Sequence, residues 1–113
     1  MREELPVFVK WMEFLSWLLD TTENFPKRVR FTLSTRIETL ALDMVEDLVE
    51  ARYSQNKKKI LVRANLRLEK IRILLRICHD RQYLPQNKYL YAIKAVNEVG
   101  KMMGGWIRQQ AGE

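Results

Sequence analysis

The sequence is poor in the residues that cross-link, bend or anchor a protein chain. It has 113 residues, of which four are Gly, three are Pro and one is Cys. The single cysteine, Cys78, excludes an intramolecular disulfide and favours a reducing cytoplasm as the setting. No apolar run reaches the roughly 18 uncharged residues of a membrane span, so we expect no membrane segment. Residues 1–20 contain acidic side chains and lack a small-residue cleavage site, so we expect no secretory signal.

Residues suited to catalysis or metal binding are also scarce. The only histidine, His79, follows Cys78, and adjacent helical positions point about 100° apart. The pair therefore cannot chelate one ion or act as a Cys–His dyad. No glutamate has a histidine three residues later, as di-iron helical bundles require, and neither GxxxxGK[ST] nor GxGxxG occurs. We predict no catalytic residues, no metal site, no cofactor and no enzymatic activity.

Three short clusters that combine Pro, Asn, Ser or Gln with charge divide the chain, around Pro26, Asn56 and Pro85. Between them, apolar residues recur at spacings of three and four, which is typical of helices, and no strand-like alternation occurs. We predict an all-α protein with one domain, residues 1–113, folded as an up-down-up-down antiparallel four-helix bundle. The predicted helices cover approximately residues 4–22, 28–53, 57–81 and 86–109.

Positive charge is concentrated in one part of the chain. The formal net charge is +6. Residues 54–84 alone carry nine basic and two acidic groups, hence +7, while residues 1–26 carry two basic and five acidic groups, hence −3. Such an asymmetry indicates an anionic partner, of which nucleic acid, RNA or DNA, is the usual one.

The predicted third helix has two apolar faces on a helical wheel of about 100° per residue. One face is a normal core stripe, formed by Ile60, Leu61, Ala64, Leu68, Ile71 and Leu75. The second apolar face consists of Val62, Leu66, Ile73 and Ile77. One bundle core can cover only one of them, and monomeric proteins rarely keep the other exposed. We therefore predict that the second face packs against another copy of the chain.

Two basic stripes separate these faces. One stripe contains Lys59, Arg63, Arg67 and Lys70, and the other contains Lys58, Arg72 and Arg76. The run Lys57–Lys59 lies at a helix start, where cations oppose the helix dipole and an external anion would be favourable. The predicted nucleic-acid or partner-binding residues are Lys57, Lys58, Lys59, Arg63, Arg67, Lys70, Arg72 and Arg76.

A structural reading of the same charges is also open. A stripe of Lys and Arg is often only a solvated helix face. Arg72 and Arg76 would then pair with acidic side chains of the second helix, among Glu38, Asp43, Glu46, Asp47 and Glu50.

Three stretches resemble a known family, namely FPKRVRFTLSTRIETLAL (25–42), LRLEKIRILLRICHDRQYL (66–84) and AVNEVGKMMGGWIR (95–108). They are similar to the accessory variability determinant (Avd) proteins of diversity-generating retroelements and to relatives encoded in intervening sequences of large-subunit rRNA genes. The most specific pieces are Phe25-Pro26-Lys27, the run at Ile71, Arg72, Leu75 and Arg76, and Glu98-Val99-Gly100 with Gly105-Trp106-Ile107. Ser34 departs from the pattern, because related sequences often have Gly there.

This resemblance implies a homopentameric barrel of four-helix bundles with a positively charged surface. It implies a non-enzymatic partner of the retroelement reverse transcriptase, which assists the synthesis of adenine-mutagenised cDNA from template RNA. By position, Arg72 and Arg76 match the family's arginines on the third helix. Two alternatives stay open: an uncharacterised protein of the rRNA-intervening-sequence type, and an oligomeric scaffold or antitoxin-like module whose basic helix docks on an acidic protein.

Overall fold

The computed structural model describes residues 5–111, and helices make up most of that range. The four α-helices are α1 (Pro6–Thr22), α2 (Thr35–Tyr53), α3 (Lys57–Asp80) and α4 (Gln86–Ala111). No strand occurs between residues 5 and 111, so the predicted all-α class and the number of helices are confirmed. The predicted first helix began at residue 4, which lies outside the described residues. None of the helices described is both long and apolar enough to cross a bilayer.

The helices form a closed ring of neighbours, in which α3 packs on α2 and α4, and α1 packs on the same two helices. Arg63 of α3 contacts Asp47 of α2, and Arg67 contacts Asp43, so the two helices run antiparallel. The α3–α4 connection is also short, residues 81–85, and such connections join antiparallel helices. The observed arrangement is the up-down-up-down bundle, about 47 Å long and 22 by 21 Å across.

Aromatic side chains of α1 fill the centre of the bundle. Trp11 and Phe14 are fully buried with their rings 5.1 Å apart, and the Trp11 indole N–H donates to the Ala41 carbonyl of α2 at 2.9 Å. Lys10 of α1 forms a salt bridge of 2.8 Å with Glu98 of α4. The core stripe predicted for α3 is buried as expected, at Ile60, Leu61, Ala64, Leu68, Ile71 and Leu75.

The start of the second helix differs from the prediction of a single α-helix over residues 28–53. A 3₁₀ turn spans Lys27–Val29, a π-helical turn spans Arg30–Ser34, and regular α-helix begins only at Thr35. The Thr35 backbone N–H and its hydroxyl both donate to the Arg30 carbonyl, five residues earlier, which widens the turn. Phe31, within this turn, is 86% exposed.

The end of α3 is closed by a Schellman motif that lacks the usual glycine. The Gln82 N–H donates to the His79 carbonyl at 2.9 Å, and the Tyr83 N–H donates to the Cys78 carbonyl at 2.9 Å. Gln82 has a φ of 65° and is the one non-glycine residue with positive φ in the described range. A side chain with a Cβ is strained in this region, whereas glycine adopts it freely.

We predict that Gln82→Gly raises the free energy of unfolding by about 0.5–1 kcal/mol, measured by urea denaturation. Removing the Cβ relieves about 1–2 kcal/mol of strain, and the greater freedom of glycine in the unfolded chain offsets part of that gain. Glu46→Gly, at an exposed position within α2, is the control and should lower the same free energy by about 1 kcal/mol. A loss of stability in both variants would contradict a strained cap.

Candidate nucleic-acid interface

The second apolar face of α3 is exposed to solvent. Val62, Leu66, Ile73 and Ile77 are 52%, 57%, 53% and 38% exposed. They lie opposite the buried stripe, because α3 is held between α2 and α4 and its remaining side points outward. The expectation that one bundle core covers only one of the two faces is therefore confirmed. That another copy covers the second face stays a prediction.

A groove of about 600 Å³ separates this face from the start of α2. Its apolar lining includes Ile73 and Leu74 of α3 and the exposed Phe31 ring, and the cations Arg36 and Lys70 also lie along it. Phe31 lies in the π-helical turn, whose geometry differs from the regular helical period. The apolar spacing of the sequence therefore could not predict its position beside this groove. The groove extends the apolar surface of α3 towards α2.

Two of the predicted nucleic-acid-binding arginines neutralise a buried carboxylate. Asp47 of α2 is 3% exposed. The Arg63 guanidinium donates to its Oδ1 from Nε at 3.2 Å and from Nη2 at 2.8 Å, and Arg67 Nη1 donates to Oδ2 at 3.0 Å. Arg63 Nη2 also reaches Glu50, at 2.9 Å. The hydrogen bonds with Asp47, and then with Glu50, raise the pKa of Arg63. The charge of these two arginines is therefore compensated within the chain, whereas Lys59 and Lys70 of the same stripe are exposed.

The other basic stripe faces α4, not α2. Arg72 Nε donates to the Asn97 amide oxygen of α4 at 2.9 Å, and its Nη1 donates to Glu69 at 3.0 Å. Arg76 lies 3.9 Å from Asp80 on its own helix and is largely exposed. The alternative that Arg72 and Arg76 pair with the second helix is therefore wrong. The two stripes lie on opposite sides of α3, so only the stripe with Arg63 can reach α2.

Lys57 binds the end of the preceding helix. Its Nζ donates to the carbonyls of Ala51, Arg52 and Ser54, at 3.1, 2.9 and 2.9 Å. The last carbonyls of a helix lack partners within it and carry partial negative charge, so a cation is favourable there. Lys57 thus needs no external anion. The exposed lysines of the predicted set are Lys58, Lys59 and Lys70.

The sequence reasoning missed two cations on α4 that lie beside Arg72. Lys101 and Arg108 line a groove between α3 and α4 together with Arg72. They are seven residues apart, or two helical turns, so they share one face of α4. The seven-residue spacing of these two cations is visible in the sequence. It was overlooked because residues 85–113 have only a modest net charge. Of the predicted site residues, Arg72 is therefore the one that lies in a groove with cations of α4.

The groups with potential chemical reactivity are engaged in packing. Cys78 is buried, and burial raises the pKa of its thiol to about 11, so almost no thiolate exists at neutral pH. His79 Nδ1 lies 3.0 Å from the Leu84 carbonyl, and its ring stacks on Tyr89 at 4.5 Å. Across residues 5–111, no group of three His, Cys, Asp or Glu side chains is placed to hold a metal ion.

Comparison with known protein families places this chain in a family. A family model described as bAvd-like matches residues 7–110, nearly the whole chain. No curated protein matches the sequence significantly. The resemblance noted from the three sequence stretches is thereby confirmed.

We predict that Arg67→Met lowers the free energy of unfolding by about 1–3 kcal/mol, because it leaves the buried Asp47 carboxylate with one cation fewer. Chemical denaturation monitored by circular dichroism measures the loss. Lys59→Met, at an exposed position on the same helix, should change stability by less than about 0.5 kcal/mol.

The same substitution in an Asp47→Asn background provides the second control. A neutral amide does not require the cation, so Arg67→Met should cost less there than in the wild-type chain. Equal costs in the two backgrounds would show that Arg67 contributes to stability by packing alone.

Proposed function

Because the chain belongs to the bAvd-like family, we propose that it is a non-enzymatic, cytoplasmic accessory protein of a diversity-generating retroelement. In this role it binds nucleic acid, namely the template RNA or its cDNA, together with the reverse transcriptase. It thereby supports mutagenic retrohoming, in which a variable gene is rewritten. The observation that carries the proposal is an exposed surface of α3 on which an apolar face adjoins uncompensated cations.

The cations available to an external anion are those that the chain itself leaves exposed. On α3 these include Lys58, Lys59, Lys70 and Arg76, and on α4 they include Lys101 and Arg108. Flexible surface cations bind phosphate oxygens without reading bases, so binding with little sequence preference is expected. An accessory protein that must follow template RNA and newly made cDNA of varying sequence needs such tolerance.

The exposed apolar face supports assembly into a homo-oligomer. Four aliphatic side chains of α3, each at least 38% exposed, lie on one side of the helix. Removing these side chains from water stabilises an assembly by roughly 25 cal/mol for each Å² of apolar surface buried. We propose that the assembly is the homopentamer that the family resemblance implies, and that Val62, Leu66, Ile73 and Ile77 lie in its subunit interface.

The groove beside Phe31 favours a second candidate, an oligomeric protein–protein scaffold. A largely exposed phenylalanine next to a cavity of about 600 Å³ is suited to a partner protein. A family member of the rRNA-intervening-sequence type, with no retroelement beside its gene, would fit this alternative. Pull-downs that recover proteins only, and that nuclease treatment does not alter, would favour it.

We predict that the purified protein binds mixed-sequence RNA, with an affinity that falls at least about tenfold when the salt concentration rises about fourfold. Bound lysines and arginines release counterions from the phosphates, so added salt opposes binding. Fluorescence anisotropy with RNAs of different base composition measures both the affinity and the lack of preference. The reverse transcriptase encoded with the gene should co-purify with the protein. Absence of RNA binding even at low salt would contradict the proposed function.

We predict that Leu66→Glu converts the oligomer into monomers of 13.5 kDa without loss of helix. Leu66 is 57% exposed within the chain, so a carboxylate there disturbs only an interface. Light scattering measures the mass, and circular dichroism measures the helix content. Leu90→Glu is the matched control, because Leu90 is 56% exposed but lies outside the second apolar face. A monomeric wild-type protein would contradict the proposed assembly.

A further inference from the structure

A polar groove of about 510 Å³ runs between α3 and α4 on the side of the bundle away from α2. We propose that this groove binds the sugar–phosphate backbone of a nucleic acid through Arg72, Lys101 and Arg108. The inference rests on the proposed function and assigns its nucleic-acid site to particular residues, two of which lie on α4.

Both helices present a regular row of side chains to the groove. From α4 come residues 97, 100, 101, 104 and 108, spaced by three and four so that they share one face. From α3 come Asn65 and Arg72, which are seven residues apart and therefore also on one face. Gly100 and Gly104 have no side chains, which leaves room for the guanidinium groups of Arg72 and Arg108 above them. The walls are amide and cationic groups.

Glycine at position 100 is what allows Arg72 to lie against α4. A Cβ placed there would be 2.8 Å from Arg72 Nη2, closer than side chains pack. The guanidinium is held in this position by Asn97, through Nε, and by Glu69, through Nη1. Within the described structure these two bonds leave the Nη2 hydrogens available. A guanidinium fixed in this way can donate to a phosphate with little further loss of side-chain freedom.

The local carboxylates do not neutralise the groove. Glu69 pairs with Arg72, and Glu98 forms its salt bridge with Lys10 of α1, at 2.8 Å, although Lys101 also acts on it electrostatically. Lys101 and Arg108 are exposed and form no ion pair with another residue between 5 and 111. Three cations opposed by Glu69 leave a charge of about +2 in a concave site, which concentrates anions.

The lining selects phosphate over bases. None of the side chains lining the groove is aromatic, so a base has no ring on which to stack. The Asn65 and Asn97 amides add polar groups for phosphate or sugar oxygens. Lys58 and Arg76 extend the cationic row on α3 beyond both ends of the groove. Eighteen residues of helix span about 27 Å, enough for several successive phosphates.

The test compares two double variants that remove the same charge from α4. Lys101→Ala with Arg108→Ala removes the groove cations, and Lys88→Ala with Lys94→Ala removes two lysines elsewhere on the helix. Each lowers the net charge from +6 to +4, by subtraction of two positive charges. A fluorescein-labelled mixed-sequence RNA is the probe, and anisotropy is measured over a series of salt concentrations. The groove variant should bind at least about tenfold more weakly, with a salt slope lower by about 1–2. The control should change affinity by less than about twofold.

A third variant, Gly100→Ala, separates binding from folding. Alanine is the better helix former, so the midpoint of urea unfolding should rise or stay the same. Its Cβ displaces the end of the Arg72 side chain, so RNA binding should weaken severalfold. A glycine that served helix packing alone would show the reverse, with stability reduced and binding unchanged.

Three results would overturn the assignment, and they differ from one another. If the wild-type protein and both double variants bind RNA equally, the groove is not the site although the proposed function stands. If the wild-type protein binds no RNA at all, the proposed function fails and the site fails with it. If the groove variant loses RNA affinity and oligomer mass together in light scattering, the groove is a contact between subunits.

Discussion

The carboxylate of Asp47 lies almost fully buried between α2 and α3, where two arginines supply its hydrogen bonds. Removing such a carboxylate from water is costly unless cations lie beside it. The side of α3 that carries Arg63 and Arg67 must therefore face α2. With that side fixed, the rotation of α3 about its own axis is fixed too. The aliphatic stripe beginning at Ile60 turns inward, the second apolar face turns outward, and Arg72 turns towards α4. The rotation of α3 about its axis thus determines which of its side chains are exposed to solvent.

The pairing of Arg63 and Arg67 with α2 also reduces the positive charge that residues 54–84 offer to a partner. Residues 54–84 have a formal excess of seven positive charges, but three of their nine basic side chains are bound to α2. Arg63 and Arg67 satisfy acids of α2, and Lys57 holds carbonyls at the end of α2. A cation that is already compensated adds little to the field felt by an external anion. The effective positive surface moves towards α4, although residues 85–113 show an excess of only +2, from four basic and two acidic groups.

The sequence predicted what depends on periodicity along a single helix. The three breaks, the four helices and all six core positions of α3 follow from apolar spacing, and the exposure of the second face follows from the same wheel. What depends on contact between helices could not be predicted. A wheel shows that two basic stripes exist, but only the packing shows that Asp47 faces one of them and Gly100 the other. The π-helical turn before Thr35 was also missed, because hydroxyl and N–H bonds to a single carbonyl leave no periodic signature.

The outward face of α3 has two unlike borders. Along one border the arginines are paired with α2, and along the other the helix adjoins the open cationic groove. A second subunit packed on this face, as proposed, would meet arginines already paired with α2 along one edge and the cations of the groove along the other, so the two edges of the interface would differ. Rotational repetition of such a handed junction would place one groove per copy at equal angles. A bound strand would then wind around the assembly instead of lying along a single subunit.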